Sequence, residues 1–127
     1  MSGRQQLAEA LAAALPGWQI LSHTRGLDTV RQPGACVLWT EKRTRAPALG
    51  LGWFADEITL WVLTAADKPA LIEDDLDDLL MQVMQALEPL DQFHWAEASR
   101  DVLADTFDGY QLTITCIWQA QPDEEAP

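Results

Sequence analysis

Leu7, Leu11 and Leu15 recur every four residues, which predicts an amphipathic helix over residues 2–15. Ser2-Gly3-Arg4-Gln5 has the form of a capping box, and Pro16-Gly17 ends the segment. Trp18 to Ser22 then alternates like a short strand, and residues 23–34, with Gly26, Pro33, Gly34, Arg25 and Arg31, read as an irregular loop. Ala35 to Lys42, rich in Val37, Leu38 and Trp39, predicts a second strand. Residues 41–52 connect it to a third, a longer link than the 2–5 residues of most hairpin loops. Trp53 to Thr64 is apolar at both alternating sets of positions, so both its faces are expected to be covered, one of them by helices.

Asp67 is placed to cap the next helix, with Pro69 in its first turn. Ile72, Leu76, Leu79, Leu80, Val83 and Leu87 form one stripe of that helix, which runs to about Glu88. Glu73, Asp74, Asp75, Asp77 and Asp78 lie on the opposite side. After Pro89, Phe93 to Ala98 reads as a strand. Val102 to Phe107 and Tyr110 to Trp118 flank Asp108-Gly109, the signal of a two-residue hairpin turn. The expected architecture is α+β, in the order α-β-β-β-α-β-β-β, with two helices packed on one face of one mostly antiparallel sheet. Residues 1–118 form the single domain in this reading, and residues 119–127 a disordered acidic tail.

With 127 residues, 48% of them hydrophobic, the chain can bury one real core. The domain is too small to bury all six tryptophans (18, 39, 53, 61, 95, 118) completely, and exposed indoles favour protein interfaces. The net charge of −12 disfavours nonspecific binding to nucleic acid or to anionic membranes. No apolar run approaches the roughly 20 residues that span a bilayer, and residues 1–6 lack the apolar stretch of a signal peptide. Cys36 and Cys116 sit within apolar strands and are expected to be buried free thiols, with a disulfide as the alternative.

Asp56-Glu57 and the aspartates of the second predicted helix could pair as acid and base, but nothing in the sequence places an electrophile or nucleophile near them, and a non-enzymatic protein without cofactor or metal is expected. Gly50-Leu51-Gly52 lacks the third glycine and the helix of a phosphate loop. His23 and His94 share no metal-ligand spacing, and His94 beside Trp95 reads first as a surface or partly buried strand histidine and second as part of a pocket. The acidic run 73–78 reads as a solvated helix face, with a docking surface for a basic patch or a DNA-mimicking surface as functional readings. The cluster Lys42, Arg43 and Arg45, followed by Ala46, Pro47, Ala48, Leu49 and Leu51, reads either as a solvated turn or as an exposed arm suited to lie on a neighbour.

Several pieces in order carry a family likeness. They are Leu15-Pro16-Gly17-Trp18 closing the first helix, Arg25-Gly26-Leu27-Asp28 before Pro33, and Val37-Leu38-Trp39 leading into Lys42-Arg43. The strand Ile58-Thr59-Leu60-Trp61-Val62-Leu63, the helical Asp74-Asp75-Leu76-Asp77-Asp78-Leu79-Leu80 and Phe107-Asp108-Gly109-Tyr110 before Thr113-Ile114-Thr115 complete the set. In this arrangement, from about Leu7 to Trp118, the chain resembles the tail terminator proteins of long-tailed phages, especially the short versions of actinobacterial phages. The resemblance implies a ring, usually of six subunits, on the head-proximal end of the tail tube in the virion, assembled in the host cytoplasm. Its partners would be further copies of itself, the tail tube protein and a neck or head-completion protein. Genomic DNA would pass through the lumen without specific binding, and no membrane is involved.

A ring needs two unlike surfaces on each subunit. Lys42, Arg43 and Arg45 are expected to reach toward Glu73, Asp74 or Asp77 of the adjacent copy, with Leu49 and Leu51 carrying more of the energy. Another head–tail connector or neck completion protein is the nearest alternative function. A small acidic inhibitor that mimics DNA is an alternative of a different class, and a small enzyme would need a pocket the sequence does not locate.

Overall fold

The computed structural model describes residues 1–22, 27 and 29–120. Expectations for His23, Arg25, Gly26 and Asp28 in the irregular loop, and for the tail beyond Ala120, lie outside the described residues. The elements are α1 (Gly3–Ala14), β1 (Gln19–Leu21), β2 (Gly34–Arg45), β3 (Trp53–Thr64), α2 (Pro69–Leu87), β4 (Phe93–His94), β5 (Ala98–Leu103) and β6 (Phe107–Gln119). One 3-10 turn, Pro47–Leu49, lies between β2 and β3. This is the α+β class expected, with two helices and a six-stranded, mostly antiparallel sheet.

Helix α1 begins as its sequence specifies. The Ser2 hydroxyl accepts the Gln5 N–H at 3.2 Å, and the Gln5 side-chain carbonyl accepts the Ser2 N–H at 2.8 Å. Helix α2 does not begin at the expected cap. Lys68 stands at the N-cap without a side-chain capping bond, and Pro69 follows it with no N–H to satisfy. The strand end is tied to the helix instead by Thr64, whose hydroxyl accepts the Ala66 N–H and donates to the Asp75 carboxylate.

The strand order is β1-β2-β3-β6, with β4 and β5 both paired to the far edge of β6. β1 runs parallel to β2, and the other pairs are antiparallel. The expected strand 93–98 is broken. His94 pairs with Thr115 and Ala98 with Leu112, so three residues, 95–97, oppose two and interrupt the ladder.

Both helices cover one face of the sheet. Leu7, Leu11 and Leu15 of α1 and its C-terminal flank join Leu79, Val83 and Leu87 of α2 over Cys36, Leu38, Ile58, Leu60, Val62, Leu112, Ile114 and Cys116. Alternation sends Ala35, Val37, Trp61 and Leu63 to the other face, where Leu103 and the partly buried Leu21, Leu27, Val30, Trp39 and Phe107 cover them. β3 is therefore apolar on both sides because both sides are packed over its second half. Of the six tryptophans only Trp61 and Trp118 are buried. Both cysteines are buried free thiols.

The Asp108-Gly109 turn is corrected. Ala104 and Asp105 make the β5–β6 turn, with φ of 53° and 56°, and the Thr106 N–H closes on the Leu103 carbonyl at 3.1 Å. Asp108 and Gly109 lie within β6, opposite Val102 and Asp101. Gly109 is needed for close approach rather than for a turn. A Cβ there would sit 2.6 Å from the Val62 carbonyl oxygen and 2.7 Å from Leu63 Cδ2.

Candidate functional site: the distal end of the β2–β3 hairpin

The register of β2 against β3 slips by one residue between Thr40 and Lys42, so Glu41 is the extra residue of a β-bulge. Its carboxylate accepts from the Trp39 indole N–H and from the Thr59 hydroxyl, the latter at 3.1 Å, which fixes the bulge on the face away from the helices. Beyond it the alternation is inverted. Lys42 and Thr44 pair with Glu57 and Ala55, while Arg43 and Arg45 pair with Asp56 and Phe54 on the helix side. The three cations therefore belong to a strand, and the expected loop shrinks to residues 46–52.

The inversion delivers Arg43 to Asp56. Its Nε and Nη2 donate to the two carboxylate oxygens at 2.9 and 3.0 Å. Asp56 is fully buried, while the Arg43 side chain is 42% exposed. The guanidinium also lies 4.8 Å from the Trp118 ring centroid, and Trp118 stacks on Phe54 at 5.2 Å. Gly3, the first residue of α1, closes this cluster from the helix side, since a Cβ there would meet Cys116 Sγ at 2.9 Å and Trp118 Cδ1 at 3.0 Å. Arg43 thus holds the hairpin to the body of the domain within one chain. Lys42 and Arg45 have no ion-pair partner among the described residues.

At the tip, the Trp53 carbonyl accepts the Ala46 N–H at 2.9 Å and the Gly52 carbonyl accepts the Ala120 N–H at 2.9 Å, so the base of the loop is fixed. The apolar side chains above it are not covered. Leu49 is 52% exposed and Leu51 85%. Arg45, Pro47, Leu51, Trp53 and Phe54 surround a shallow hollow of about 220 Å³ beneath them.

The expected acidic partners lie elsewhere, on α2. Glu73 accepts from Arg100 at 2.9 Å, and Arg100 also reaches Asp108 at 3.2 Å. These carboxylates raise the guanidinium pKa, the Glu73 hydrogen bond contributing most. Asp77 accepts from the Tyr110 hydroxyl at 3.4 Å. Partial burial, followed by the Asp77 charge, pushes the Tyr110 pKa up. Asp74 is exposed and faces a hollow of about 390 Å³ at the start of α2, together with Asp67, Lys68, Leu71, Asp75 and Asp78. The sequence reading missed Arg100, weighed Asp56 only beside Glu57 as an acid–base pair, and missed Leu71. The first two are cross-strand or strand-to-helix partners that only the register brings together.

A further hollow, about 570 Å³, is an open groove on the sheet face where β4 and β5 separate, lined by His94, Trp95, Glu97, Gln111, Thr113 and Thr115 among others. His94 is exposed and borders it. Among the described residues, no group of three or more His, Cys, Asp or Glu side chains could hold a metal ion, and no helix is long and apolar enough to cross a membrane. Set against known proteins, the chain matches no family model and no curated sequence.

Proposed function

We propose that this chain is a phage tail terminator: it closes into a ring, six subunits being the expected number, that caps the tail tube, ends its polymerisation and presents a surface to the neck of the head. The observation that carries the reading is the hairpin tip. Two strands of 12 residues hold out Leu49 and Leu51 beside Arg45, which has no ion-pair partner among the described residues, on a chain whose net charge is −12. Such a tip is adhesive toward an acidic protein surface. Burying each leucine contributes about 1.5–3 kcal/mol, whereas each rim ion pair adds about 0–1 kcal/mol and chiefly sets register. The acid-rich remainder supports the same role, because a lumen crossed by DNA must not hold it.

The test is electron microscopy of phage in which the gene is deleted or carries Leu49→Asp with Leu51→Asp. Overlong tails are expected in both. Tails of normal length detached from heads would assign the protein to the neck instead, and normal phage would sink the reading altogether.

A further inference from the structure

The hairpin tip and the hollow at the start of α2 lie at opposite ends of β3. The tip adjoins Trp53, the first residue of the strand, and the hollow adjoins Ala65 and Ala66, just past its last residue, Thr64. Twelve extended residues separate them by roughly 35 Å. No molecule can bring its own tip to its own hollow.

The two surfaces are complementary in both chemistries. The tip offers Leu49 and Leu51 with Arg45 behind them, and Lys42 stands farther back on the opposite face of the strand. The hollow offers Leu71, 54% exposed, within a ring formed by Asp67, Asp74, Asp75 and Asp78 against the single Lys68. Glu73 and Asp77, the carboxylates first expected to receive the arm, are bonded to Arg100 and Tyr110. Arg43 is bonded to Asp56. Setting these intrachain contacts aside leaves Lys42 and Arg45 on one end and Asp67, Asp74 and Asp78 on the other.

We infer that the occupant of the α2 hollow is the hairpin tip of a second copy of this chain, with Leu51 seated against Leu71 and Arg45 facing Asp74 and Asp78. The contact joins two different surfaces, so it is head-to-tail and propagates until it closes. It deepens the ring reading, on which it rests for closure, by naming the surface that receives the tip.

Disulfide trapping of purified protein tests it. One variant carries Leu51→Cys and a second, made heavier by a tag, carries Leu71→Cys; both positions are exposed, and the native thiols Cys36 and Cys116 are buried. Under mild oxidation the mixed dimer should exceed both like dimers at least five-fold. It should fall several-fold in 1 M salt, where screening shortens to about 3 Å, and when Asp74→Lys and Asp78→Lys are added to the second variant. Like dimers as abundant as the mixed one, or no cross-link at any concentration, would overturn the inference. Tail length is read separately. A preferential mixed cross-link with normal tails in deletion phage would sink the terminator role and keep the contact, and overlong tails without the cross-link would do the reverse.

Discussion

Arg43 holds both carboxylate oxygens of Asp56, at 2.9 and 3.0 Å, across a pair of strands whose register would put them on opposite faces if Glu41 took a place in the ladder instead of bulging out of it. Asp56 is fully buried and Arg43 is not, so the pair is asymmetric in what its loss exposes. Arg43→Ala leaves a buried carboxylate without its partner and should destabilise the fold by about 3 kcal/mol. Arg43→Ala combined with Asp56→Ala should recover part of that loss. Urea unfolding of the two single variants and the double variant measures both quantities, and additive losses would show that the pair is not coupled.

The Arg100–Glu73 pair should behave differently. Glu73 is 64% exposed and Arg100 30%, so water screens the interaction. Glu73→Gln should cost less than about 1 kcal/mol, and less still in high salt. A larger loss in a urea melt would mean that this contact, and not apolar packing alone, holds α2 to β5.

Gly109→Ala should destabilise by about 3 kcal/mol, since the new methyl would press on the Val62 carbonyl and Leu63 from 2.6–2.7 Å. Asp108→Ala next to it should cost far less. If Asp108-Gly109 were the turn, both substitutions would act by disturbing it, and the comparison of their thermal melts distinguishes the two situations.

Burial pushes the Cys36 thiol up to about 12 from 9.0, and burial also raises Cys116 and Tyr110. Each is held in its protonated form by the fold, so its contribution to stability is complete below the unfolded pKa and disappears as pH rises through the folded one. For Cys36 that window runs from about pH 9 to about pH 12, with a loss of roughly 1.4 kcal/mol per pH unit within it. The urea midpoint should therefore be flat from pH 7 to 8.5 and fall steadily above 9. Cys36→Ala should reduce the slope. Native protein at pH 8 should react with a thiol reagent far more slowly than unfolded protein.

The elements with a strong local signal were legible in the sequence. Ser2 and Gln5 announce the start of α1, and the stripe from Leu76 to Leu87 announces the buried side of α2. The turn at Ala104-Asp105 was not legible, because alanine is an unusual choice for positive φ and a stronger turn signal, Asp108-Gly109, stands four residues on. That glycine answers a packing demand from Leu63, 46 positions away in sequence, and no local rule reports such a demand. The candidate site was legible in composition but not in connectivity. Lys42, Arg43 and Arg45 look equivalent in a string of residues, and only the bulge separates the one that anchors the hairpin from the two that face outward.

The slip at Glu41 makes the orientation of the hairpin's outer third depend on whether that one residue stands in the ladder or outside it. A one-codon deletion there would remove the bulge and leave Lys42 opposite Glu57 and Arg43 opposite Asp56, whereas a regular ladder that kept Glu41 would set Lys42 opposite Asp56 and Arg43 opposite Ala55. The same polypeptide could thus exchange which cation it anchors and which it displays without a single substitution, a mode of divergence that comparison of residue identities alone would overlook.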